Sequence, residues 1–67
     1  MDNNEISATL LWERNGVQFW RTYTEYGIPK FHVMSNRGTG ISHEVISTFD
    51  VSLAVGTILQ IRTVEEW

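Results

Sequence analysis

Three consecutive residues, Ser42-His43-Glu44, set a hydroxyl, an imidazole and a carboxylate side by side, the groups that nucleophilic catalysis assembles. Their spacing argues against that use, because neighbours along an extended segment point to opposite faces and the three groups diverge. Metal binding would need His32 and His43 to converge with a carboxylate such as Glu44, yet they fall on different predicted elements without a familiar ligand spacing. An exposed His on a strand face is the better reading. The chain has no Cys, which excludes thiolate chemistry, thiolate metal ligation and a disulfide framework. With no acid, base and nucleophile that can be placed together, the sequence reads as that of a non-enzyme without cofactor or metal.

Arg37-Gly38-Thr39-Gly40 is the one stretch that could offer backbone N–H groups and a guanidinium to a phosphate. It lacks the Lys-Ser/Thr ending of a P-loop and the third glycine of a dinucleotide fingerprint, so a plain hairpin loop is preferred. If a charged ligand is bound, Arg37 is where its charge would be read. Aromatic residues are dense between positions 12 and 31: Trp12, Phe19, Trp20, Tyr23, Tyr26 and Phe31. Some of them exceed what one thin core can absorb, and Trp20 is the foremost candidate for exposure. The expected partner- or ligand-binding set is therefore Trp20, Tyr23, Tyr26, Arg21 and Arg37, since Trp, Tyr and Arg dominate binding hot spots. The same residue types stack on nucleobases, and composition does not separate the two uses. The structural alternative is that Leu11 and Trp20 fill the second side of a small barrel.

The elements that must carry these side chains begin with Asn15-Gly16, the preferred pair for a two-residue type I′ turn. A hairpin around it pairs Arg14 with Val17, Glu13 with Gln18, Trp12 with Phe19, Leu11 with Trp20 and Leu10 with Arg21. One face then carries Ala8, Leu10, Trp12, Phe19 and Tyr23, interrupted by Arg21, while the other carries threonines around the apolar pair Leu11 and Trp20. Residues 25–29 read as a loop, Lys30 to Ser35 as a third strand, and 36–40 as a break. For 41–50 the β-branched content favours a fourth strand over a short helix. A turn from Asp50 to Gly56 leads to a last strand over Thr57 to Val64. The fold class is all-β, possibly with one short helix: a strongly bent antiparallel sheet, or a partly open SH3-like or OB-like barrel, of four to five strands.

The 67 residues suffice for a single domain, residues 1–67, with residues 1–5 expected to be a flexible N-terminus. An apolar content of 42% supports a packed core, but a thin one. The net charge of −3 is scattered and the five basic residues are never adjacent, which disfavours a dedicated duplex-DNA binder. No apolar run is long enough to span a bilayer and the polar start lacks the regions of a signal peptide, so the expected location is the cytoplasm. Unpaired sheet edges, a marginal core, surplus aromatics and the terminal Trp67 lead to an expected homodimer. The expected function is a binding module, such as a phage or mobile-element protein that inhibits a host protein by occupying its surface. The alternative is a protein that sequesters a nucleotide or single-stranded nucleic acid.

Overall fold

The computed structural model describes residues 7–65; the expected flexible stretch 1–5 and the terminal Trp67 lie outside the described residues. Among the described residues four strands, β1 (Thr9–Arg14), β2 (Val17–Tyr23), β3 (Pro29–Ser35) and β4 (His43–Thr48), precede one helix, α1 (Val51–Glu65). The strands form an antiparallel meander in the order β1-β2-β3-β4. β1 and β4 are its two edges, so the sheet is open rather than closed into a barrel. The mostly-β class and the four strands agree with the sequence reading, including strand rather than helix within 41–50.

The β1–β2 turn is built as its dipeptide requires. Asn15 and Gly16 both take positive φ, 53° and 82°, which is the type I′ geometry whose twist matches the flanking strands. The predicted pairs Arg14 with Val17, Glu13 with Gln18 and Trp12 with Phe19 are present. Beyond them the register slips by one: Trp20 pairs with Leu10 and Arg21 with Thr9, leaving Leu11 as the extra residue of a β-bulge. The predicted pairs Leu11–Trp20 and Leu10–Arg21 are thereby corrected. The bulge turns Leu11 to the same side as Trp12 and leaves Leu10 beside Trp20. A second register shift between Val33 and Met34 leaves Val45 as the extra residue of β4. Both edge strands thus carry a bulge, which blunts them as templates for further pairing.

The predicted turn from Asp50 to Gly56 and the last strand over Thr57 to Val64 are instead one helix. Asp50 caps it: the Ser52 N–H donates to Asp50 Oδ1 at 2.9 Å, and the Asp50 carbonyl receives Leu53 N at 3.1 Å and Ala54 N at 3.3 Å. Thr57 and Thr63 turn their hydroxyls inward to the carbonyls of Leu53 and Leu59, each at 2.9 Å, so their polar groups are satisfied within the helix. The stripe Ala54, Ile58 and Ile61 faces the sheet and decides the outcome, because burial of one helical face outweighs the weak propensity of Gly and β-branched residues.

α1 lies over β3 and β4. Between helix and sheet, Val17, Val33 and Ala54 are fully buried, with Phe19, Phe31, Ile46, Ile58 and Ile61 packed around them. Phe19 and Phe31 stack with ring centroids 5.8 Å apart. Each buried valine contributes roughly 1.5–3 kcal/mol by its removal from water. The core is therefore small, and among the described residues α1 makes its main contacts with β3 and β4, reaching β2 at Val17 and Phe19.

Candidate functional site

Alternation along the strands divides the sheet into a helix side and an open side. Val17, Phe19, Arg21 and Tyr23 of β2 face the helix side; Gln18, Trp20 and Thr22 face the open side with Lys30, His32 and Met34 of β3. On the open side the polar groups are tied to one another. Gln18 Nε2 donates to Glu13 Oε2 at 3.0 Å, and the Trp20 indole N–H donates to Gln18 Oε1 at 3.0 Å. Thr22 Oγ1 lies 2.8 Å from His32 Nε2, whose other ring nitrogen lies 3.0 Å from Glu44 Oε1 and 3.4 Å from Ser47 Oγ. Among these rows sits a shallow hollow of about 270 Å³ lined by Ala8, Trp20, Thr22, His32 and Met34.

Thr22, His32 and Glu44 thus form a hydroxyl–imidazole–carboxylate chain. In the sequence His32 reads as a possible metal ligand and Glu44 as a metal ligand or the carboxylate of Ser42-His43-Glu44, while Thr22 carries no such signal. What the chain can do depends on its surroundings, because a nucleophilic hydroxyl needs donors aimed at the developing oxyanion. The hollow offers Ala8 and Met34, which have no donor side chain, and Trp20, whose N–H is committed to Gln18. The arrangement orders His32 between two strands and holds the rim of the hollow in one geometry. Among the described residues, no three His, Cys, Asp or Glu side chains gather as a metal site would require.

The predicted binding set is divided among separate places. Trp20 is half-buried on the open side. Arg21 and Tyr23 are on the helix side and meet each other, the guanidinium 5.1 Å from the ring centroid. Tyr26 projects from the β2–β3 loop, 81% exposed. Arg37 is at the opposite end of the sheet, roughly 20 Å away along strands of this length. There its guanidinium donates to the Asn15 carbonyl at 2.9 Å. The glycine loop that follows uses its own donors: Arg37 N reaches Ser35 Oγ, Gly40 N the Asn36 carbonyl, and Ile41 N the Thr39 hydroxyl. Three of the N–H groups that an anion nest would present are thereby engaged internally.

The helix side holds a feature the sequence does not signal, a groove of about 420 Å³ between β1–β2 and α1. Leu11, Trp12 and Phe19 form its sheet wall, and Val55, Ile58 and Leu59 its helix wall; Arg14 and Arg62 complete the lining. Two features hide it in the sequence: the bulge that aims Leu11 here breaks the simple register, and residues 57–64 alternate as a strand would although they form α1. No helix among the described residues is long and apolar enough to cross a membrane. Comparison with known protein families, curated proteins and solved structures finds no match to this chain.

Proposed function

We propose that the chain is a small non-enzymatic module that binds a protein partner through the open side of its sheet and acts by occupying that partner's surface. Inhibitors of host proteins carried by phages and mobile elements work in this way. The observation that supports this reading is the setting of Trp20. A large aromatic side chain lines a hollow with Met34 and Ala8, beside side chains already fixed by the Glu13–Gln18–Trp20 and Thr22–His32–Glu44 hydrogen bonds. An aromatic anchor with a pre-ordered polar surround is the anatomy of a binding hot spot, since little side-chain freedom is left to lose on association.

Charge favours a protein over a nucleotide or single-stranded nucleic acid on this side. Glu13 and Glu44 both belong to it, and Lys30 lies over the Phe49 ring at 5.3 Å. Phosphates would meet two carboxylates there. The test is affinity capture from a host extract, followed by calorimetry with the purified partner against the native chain and Trp20→Ala. A loss of roughly 2 kcal/mol or more in binding, with circular dichroism and melting unchanged, is the expected result. Equal affinity of the two chains, or a steep loss of native affinity as salt is raised, would move the interaction elsewhere or to phosphates.

A further inference from the structure

We infer that the groove between β1–β2 and α1 is a second binding site, for a small amphipathic monoanion: an apolar chain or ring ending in a carboxylate. The site lies across the sheet from Trp20 and stands apart from the function proposed for that side. Its volume, about 420 Å³, is within the range of small-molecule sites, roughly 300–1,000 Å³. Its lining is largely apolar, and on the helix wall Val55 and Leu59 are exposed by 41% and 53%. The charge at its rim is of one sign. Arg14 and Arg62 come from different elements to line the same groove, and among the described residues neither has an acidic partner. Both guanidiniums are positive at neutral pH, and a carboxylate held in the groove would be attracted to each and could accept charge-assisted hydrogen bonds from them.

The experiment is calorimetric titration of the full chain with decanoate and with 1-decanol, with the contacts located by NMR chemical shifts. Decanoate should bind more tightly than decanol and shift Leu11, Trp12, Val55 and Leu59. In the double variant Arg14→Gln, Arg62→Gln, both exposed positions, decanoate affinity should fall about tenfold while decanol is unaffected. Val55→Trp, which fills the groove, should abolish binding of both. The inference is overturned by equal affinity for acid and alcohol, by decanoate binding that survives the double variant, or by no decanoate binding at all. Shifts centred on Trp20 and Met34, or affinity that declines with protein concentration because a second copy holds the groove, would overturn it as well.

Discussion

The Arg37 guanidinium donates to the Asn15 carbonyl oxygen at 2.9 Å, fastening the β3–β4 loop to the β1–β2 turn across 22 positions of sequence. The Asn36 N–H adds a second tie, to the Gly16 carbonyl at 3.0 Å. This clasp predicts a ranking of variants. Arg37→Ala removes an exposed contact and should cost about 1 kcal/mol. Gly16→Ala should cost more, about 1–3 kcal/mol, because its φ of +82° strains any other residue and a Cβ would crowd the Asn36 side chain and approach Arg37 Cγ at 3.3 Å. Urea denaturation of the two variants checks the order. A larger loss from Arg37→Ala than from Gly16→Ala would show that the clasp, rather than turn geometry, dominates this end.

Ala54 is fully buried where α1 meets the sheet, and its small side chain sets how closely the helix approaches. Ala54→Leu should therefore destabilise the fold by about 1–3 kcal/mol although it adds apolar area, because the added carbons have no space without moving the helix. Against a total of roughly 3–10 kcal/mol for 67 residues, that is a large share. A thermal melt decides it, and a raised midpoint would mean the helix can lift from Val17 and Val33 at little cost.

The sheet was legible because its signals are local. Asn15-Gly16 specifies one turn type, and alternation fixes which side of β2 and β3 faces the core. The helix was obscured because two patterns share the same letters: Leu59, Ile61 and Thr63 alternate as a strand would, while Ala54, Ile58 and Ile61 repeat as a helical stripe. Gly56, Thr57 and Thr63 weaken helix propensity, and only packing against Val33 and Ile46 resolves the choice. Asp50, with its side chain placed to cap Ser52, was the overlooked start signal. The groove depends on both this helix and the Leu11 bulge, so neither wall could be placed from periodicity alone.

Gly56 offers a direct test of that conflict. It sits within α1 on the exposed side, has no positive φ, and a Cβ built there meets nothing within 4 Å. Gly56→Ala should stabilise the protein by about 0.5–1 kcal/mol by restricting the unfolded chain and favouring helix. Differential scanning calorimetry should show a rise of several degrees, and greater helical ellipticity at intermediate temperatures. No change would indicate that residues 51–65 fray in solution and that the helix contributes little to the measured stability.

Arg21 presents the opposite case, a polar group on the core side of the sheet. Its Nε is buried with no hydrogen-bond partner, while its guanidinium stacks over Tyr23 at 5.1 Å. The unpaired N–H costs about 1–3 kcal/mol and the cation–π contact returns about 0.5–1 kcal/mol, so the arginine is a net liability to the isolated fold. Arg21→Met keeps an unbranched side chain over Phe31 and Tyr23 without the buried donor, and should raise stability by about 1 kcal/mol. Chemical denaturation of the two proteins provides the comparison. A fall in stability would mean that water reaches Nε and that the charge over Tyr23 is worth more than its burial costs.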